Sequence, residues 1–243
     1  MTESDNYEVD ELQLYFGEPY RITDTIIVRQ PTLGEIIEFG EDAFYNTLYI
    51  FITNPTSYRV ALWDKGIDWN KLTDYNLFMM LYPNINVNAL QLFLPGFYLY
   101  KVTLSNQEET IILSNEHGDI ITEEIYSKIS YYLRKMFNYF PKVEKAKGKI
   151  TKEWIIEGEK ERLKNKPNHF VSNLLPLISA CLNHPGFKYK KSELKEIGIV
   201  EFMDSVKRLQ VYESTTALLV GRYSGMIDTS KLNNEDFNFM REV

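Results

Sequence analysis

Cys181 and His184 lie three residues apart, which places a thiol and an imidazole on one face of a helix. An imidazole can activate a cysteine as a nucleophile, and the same pair could begin a metal site. Structural zinc needs a full ligand set, and there is no second Cys/His pair; His169 is the nearest further imidazole. The pattern therefore reads as a small buried thiol beside the helix-ending His184-Pro185-Gly186. Asp64 and Asp68 form a second grouping, within Trp63-Asp64-Lys65-Gly66-Ile67-Asp68-Trp69. Two carboxylates could serve acid–base chemistry or, with a third, hold a divalent metal for hydrolysis. A calcium loop would need alternating oxygen ligands and a closing Glu, which the residues from Tyr75 onward do not supply. A helix-ending turn whose tryptophans cover the core accounts for the same residues. Paired tryptophans are also common anchors for a partner.

Two further groups invite a chemical reading. Ser224 in Tyr223-Ser224-Gly225 lacks the flanking glycine pattern of a nucleophile elbow and reads as a helix-terminal turn. Lys188, Lys190, Lys191 and Lys195 interleave with Phe187 and Tyr189, the mixture that stacks and neutralises single-stranded nucleic acid. Glu193 and Glu196 interrupt that cluster, and the chain carries a formal charge of -7, so a solvated helix start is the expected role. No phosphate-cradling P-loop occurs, and no dinucleotide glycine motif follows a strand. The site expected from residue chemistry alone is empty: no catalytic residue, no cofactor, no metal.

The elements that must position these residues are legible in part. Leu12, Leu14 and Phe16 alternate, Gly17-Glu18-Pro19 supplies turn chemistry, and Thr25 to Arg29 is β-branched, so two short antiparallel strands are expected. Gln30-Pro31-Thr32-Leu33-Gly34-Glu35 then stops a strand and starts a helix. Thr32 can cap the first turn while Glu35 reaches back to the cap. That helix is expected to run to Asn54-Pro55, with Gly34 and Gly40 as close-packing or bending points. Short helices follow at Ser57 to Lys65, Thr73 to Tyr82 and Asn86 to Leu94, each bounded by Asn, Pro or Gly. Phe97 to Leu104 and Thr110 to Leu113 predict a second hairpin, extended to Ile120 and Ile121 after His117-Gly118-Asp119.

Thr122 to Tyr139 predicts a long helix with Ile125, Ile129, Leu133, Met136 and Phe140 as its apolar stripe and Pro141 as its stop. The lysine-rich stretch from Lys142 to Lys149 has linker character. Beyond it, Lys152 to Lys166, His169 to Leu182 (kinked at Pro176) and Ile199 to Val220 read as helices. The last has Phe202, Val206, Leu209, Tyr212, Leu218 and Leu219 inward and Gly221 at its end. The expected fold is α+β and predominantly α-helical. Residues 1–141 form a region of short helices with two small β-hairpins, preceded by a mobile acidic tail over 1–11. Residues 142–149 form a linker, and 150–243 a helical bundle.

With 243 residues, 44% of them apolar and 25% charged, the chain can build a substantial core. Its 17 Tyr and 14 Phe suit an interaction protein, though AT-rich coding gives the same bias. The single cysteine excludes an intrachain disulfide and fits a reducing compartment. No apolar run approaches the roughly 20 residues of a membrane span. The acidic opening is unlike a targeting peptide. A cytosolic protein with no membrane partner is expected.

Two segments resemble a family. Gln30 to Glu41, followed by Leu62-Trp63-Asp64-Lys65-Gly66-Ile67-Asp68, resembles the opening region of proteins from tailed phages and prophages of low-GC Gram-positive bacteria. Ala217-Leu218-Leu219-Val220-Gly221-Arg222-Tyr223-Ser224-Gly225 is similar to the ending of the same proteins, which are tail assembly chaperones or related tail-module proteins. The resemblance implies a non-catalytic chaperone in the host bacterial cytoplasm. It would bind the tape-measure protein and recruit tail-tube subunits, with nucleic acid and small molecules not expected as partners. A structural virion component, such as a connector or tail-completion protein, is the alternative, and a metal-dependent nuclease on Asp64 and Asp68 a third reading. The candidate partner contacts are Trp63, Trp69, Tyr212, Arg222 and Tyr223.

Overall fold

A computed structural model describes residues 8–103, 108–165, 169–226, 228, 230 and 232–242. It is 53% helical, with ten α-helices and two two-stranded antiparallel sheets among those residues, an α+β and mostly helical fold. The acidic opening falls largely on residues 1–7, outside the described range. Beyond it, Asp10 accepts from the backbone N–H groups of Leu12 and Gln13 and starts a helix, α1 (Glu11–Tyr15), where a strand was expected. An Asp at that position satisfies two otherwise unpaired donors, and this local bond overrides the alternation of Leu12, Leu14 and Phe16. The first hairpin instead pairs β1 (Tyr20–Arg21) with β2 (Ile27–Val28).

Downstream of β2 the capping box forms as its residues predict. Thr32 Oγ1 accepts from the Glu35 N–H at 3.2 Å, and Glu35 Oε2 accepts from the Thr32 N–H at 2.8 Å. Arg29 holds the same carboxylate through two hydrogen bonds of 2.8 and 3.0 Å. The helix so begun, α2 (Leu33–Phe39), does not continue to Asn54. Gly40 has φ +107°, outside helical geometry, and α3 (Glu41–Ile52) starts afresh beyond it. Gly34 is a true contact point, since a Cβ built there would meet the Lys195 carbonyl oxygen at 2.6 Å.

α4 (Arg59–Asp64), α5 (Asp74–Leu81) and α6 (Val87–Leu90) follow, with Thr73 and Asn86 as side-chain caps of the last two. β3 (Phe97–Thr103) and β4 (Glu109–Asn115) form the second hairpin, and a single bridge from Ser114 to Ile120 extends it. α7 (Glu123–Met136) is capped by Thr122 and carries acids in its first turn and Arg134 and Lys135 in its last, both favourable to the helix dipole. It ends earlier than Pro141. Asn138 takes φ +45°, a left-handed conformation that Asn tolerates, and Tyr139 N–H closes back on the Arg134 carbonyl at 2.9 Å. Phe140 therefore leaves the apolar stripe and lies exposed.

α8 (Lys149–Lys164) packs on α4. α9 (Leu174–Leu182) begins later than expected, so Pro176 sits in its first turn, where its missing N–H costs nothing and no kink is needed. The donors of that turn are met from outside: Glu41 Oε1 accepts from Asn173 N–H and Leu174 N–H at 2.8 and 3.1 Å. α10 (Ile199–Tyr223) runs 25 residues and continues through Gly221. Ile199, Phe202, Val211 and Thr215 are its buried positions, whereas Tyr212 turns outward.

The main core gathers residues from Leu14 to Phe202. A smaller cluster joins Leu62, Trp69, Leu77, Ala146 and Ile156, and Leu81 packs against both. The strip from Gln30 to Leu33 is where the segment before α2 meets the segment that opens α10. Leu33 N–H donates to the Ile197 carbonyl at 2.8 Å and Ile199 N–H to the Pro31 carbonyl at 3.1 Å. The buried Gln30 amide braces the junction, donating to the Leu14 carbonyl at 2.9 Å and accepting from Val200 N–H at 3.1 Å.

Candidate functional site

Each chemically suggestive group from the sequence has a structural occupation. Cys181 is buried, and burial pushes its thiol pKa up, away from the thiolate. His184 faces elsewhere: Nδ1 accepts from Gly186 N–H at 2.9 Å, and Nε2 lies 3.0 Å from Glu213 Oε1. Ser224 ends α10 and donates to the Gly221 carbonyl at 3.2 Å. Among the described residues no three His, Cys, Asp or Glu side chains gather in a way that could hold a metal. Phe187 and Tyr189 pack against the main core, and Tyr189 donates to Glu201, so the basic cluster presents no free stacking ring from this pair.

The tryptophan turn is built by α4, the turn after it and α8. Asp64 pairs with Lys160 at 2.6 Å and Asp68 with Lys152 at 2.6 Å, so the two carboxylates diverge toward two lysines of α8. The hydrogen bond from Lys152 holds the Asp68 carboxyl below its usual range. Trp69 is only 3% exposed, and its Nε1 donates to the Glu144 carbonyl at 3.2 Å. Trp63 meets it edge-on at 5.9 Å and is half-buried, so of the two rings Trp63 is the one within a partner's reach. On α10, Tyr212 is exposed and Tyr223 is 84% exposed. Arg222 instead lies over the Phe237 ring at 5.1 Å, committed to an internal cation–π contact.

A large concavity involves residues that the sequence does not single out. A groove of about 1180 Å³ runs between α7, the start of α5 and the segment around Glu144. That segment is strapped down. Asn54 Nδ2 donates to the Pro141 and Lys142 carbonyls at 3.3 and 3.2 Å, and Asn70 Nδ2 donates to the Ala146 carbonyl at 2.6 Å. Arg134 of α7 ties the floor together. Its Nε donates to the Ile52 carbonyl at 2.8 Å, and its Nη2 donates to the Thr53 carbonyl at 2.8 Å and to Asp74 at 2.7 Å. Tyr126 and Ser130 of α7 are two further groove residues. Nothing in a one-dimensional pattern marks them, because the wall opposite comes from residues 54–75 and 143–145.

Compared with known protein families, curated proteins and solved structures, the chain matches none. The fold and its sites therefore define the class by themselves: a mostly helical α+β protein with a strapped polar groove and an exposed apolar helix end. Among the described residues no helix is long and apolar enough to cross a membrane.

Proposed function

We propose that the protein is a non-catalytic binding protein of phage tail assembly, a chaperone that holds the tape-measure protein and recruits tail-tube subunits in the host cytoplasm. The observation that carries the binding role is the free end of α10. Tyr212 and Tyr223 lie eleven residues apart, three helical turns, and so share a face. Val220, one turn before Tyr223, is also well exposed. Large apolar side chains grouped on one helix face are the kind of surface that grips an amphipathic partner helix. The occupation of Cys181, Asp64, Asp68 and Ser224 in packing, ion pairs and caps fits a protein that does no chemistry. The net charge of -7 speaks against a nucleic-acid partner. The tail-assembly setting rests on the resemblance of three stretches, Gln30 to Glu41, Leu62 to Asp68 and Ala217 to Gly225.

Co-expression with a tape-measure protein tests the reading. A stable complex is expected, weakened at least tenfold by the pair Val220→Asp and Tyr223→Asp, with no copy of the protein in purified virions. Recovery in stoichiometric amount from intact particles would reject the chaperone in favour of a structural virion component.

A further inference from the structure

Charge and exposure along α8 follow an order that its own packing does not explain. Ile156 belongs to the smaller apolar cluster, Lys152 pairs with Asp68, and Glu159 pairs with Arg59 of α4, so that side of the helix is committed to its neighbours. At about 3.6 residues per turn, Ile150, Trp154, Glu157 and Glu161 fall on the opposite side. All four are exposed, Ile150 by 72% and Trp154 by 77%. Gly158 is exposed beside them, and a Cβ built there would meet no atom within 4 Å. An isoleucine and a tryptophan one turn apart form a patch rather than scattered single exposures.

Opposite charges bracket that patch. Lys147, just before the helix, and Lys149, in its first turn, stand at one end, and Glu157 and Glu161 at the other. Among the described residues Lys147, Glu157 and Glu161 have no ion pair, and Lys149 has only Glu153 at 3.8 Å. The first turn of α8 holds no acid, the reverse of what the helix dipole favours, so helix stability does not account for this order. The order basic, apolar, acidic is its own complement when a second α8 lies antiparallel. With a two-fold axis at Trp154, that ring meets the partner's Trp154, and Ile150 lies over the partner's Gly158, where no side chain stands in the way. Lys147 then faces the partner's Glu161, and Lys149 comes near the partner's Glu157. A uniformly charged surface, nucleic acid or anionic membrane, would attract one end of α8 and be repelled by the other. The contact is small. α8 is about 24 Å long and about 10–12 Å wide with its side chains, well short of the roughly 800 Å² per partner of a standard interface. It is therefore a weak, reversible contact whose charges set orientation more than strength.

We propose that the outward face of α8 is a self-association surface, on which two copies of the chain pair antiparallel about Trp154. The proposal does not depend on the tail-assembly reading, whose surface is the end of α10. Sedimentation velocity on the full chain tests it. From low micromolar to several hundred micromolar, the protein is expected to pass from monomer to dimer. Lys147→Glu with Lys149→Glu, and separately Glu157→Lys with Glu161→Lys, should each weaken the dimer at least tenfold, because like charges then meet at both ends. All four side chains are exposed, so each variant should keep its fold and its far-UV circular dichroism. An equimolar mixture of the two variants should restore a dimer, since one chain is then acidic at both ends and the other basic at both. A natural chain that stays monomeric at several hundred micromolar overturns the proposal. So does a dimer that survives Trp154→Asp or either charge reversal. A mixture of the two variants that stays monomeric overturns it equally.

Discussion

Gly34 and Gly40 show how one residue type serves two needs. At Gly34 the constraint is space, because the Lys195 backbone occupies the place a Cβ would take. Gly34→Ala should therefore cost about 1–3 kcal/mol in denaturant unfolding, by forcing α2 off the turn at Glu193–Lys195. At Gly40 no atom lies within 4 Å, and the constraint is the backbone at φ +107°. Gln30 is a third single-residue lock. Gln30→Leu would leave the Val200 N–H without its partner, at about 1–3 kcal/mol, while the Leu14 carbonyl keeps the Gly17 N–H. Cys181 carries a prediction of a different kind. Its burial and raised pKa predict labelling by a disulfide reagent at pH 8 much slower in the native protein than in urea. Equal rates would show the thiol to be accessible.

At the scale of elements, Arg59 is the joint between α4, the strap and α8. Its guanidinium pairs with Glu144 on the strap and with Glu159 of α8 at 2.7 Å, and its side chain is largely buried. The hydrogen bond from Arg59 is the first cause of a Glu159 pKa held below its usual 4.5. A carboxyl whose folded pKa is depressed adds stability that is present above its unfolded value and lost as pH falls through the folded one. Stability should accordingly decline as pH drops below about 4.5. Arg59→Met should remove about 2 kcal/mol at neutral pH and flatten that acid limb, measured by urea titration at pH 7 and pH 3.5. An unchanged acid limb would place the pH sensitivity in other carboxylates.

For the whole molecule, the placement of the three tryptophans is useful. Trp63 and Trp69 belong to the smaller apolar cluster, and Trp154 lies on α8, which packs on α4. Tryptophan fluorescence thus follows the strap, α4 and α8, while far-UV circular dichroism follows every helix. Leu81 packs against both clusters, and Asn54, next to α3, holds the strap by two hydrogen bonds. The two signals are expected to trace one coincident unfolding transition. An earlier fluorescence transition would mean that the smaller cluster melts as a unit of its own.

Local chemistry was readable wherever it acts over a few residues. The Thr32–Glu35 box follows from side chains meeting backbone three positions away, and the β3–β4 hairpin and the helical character of the second half follow from the alternation and spacing of apolar residues. Where two local signals compete, reading the sequence picks wrongly, as at α1, where the Asp10 cap outweighs alternation, and after Met136, where Asn138 stops the helix before Pro141. Tyr212 illustrates a subtler limit: helical spacing gives a face, but which face is covered depends on what packs against it. The groove lies wholly beyond the reach of pattern. Tyr126 and Ser130 are interior positions of an amphipathic helix until Asp74, Asn70 and the strap at Glu144 are brought opposite them. Caps such as Thr32 are legible in the chain because they are short-range hydrogen-bond problems, whereas the break at Gly40, the end of α7 and the start of α9 are not. What walls the groove and which helix faces are covered depend on packing between segments, because those contacts come from partners scores of residues away.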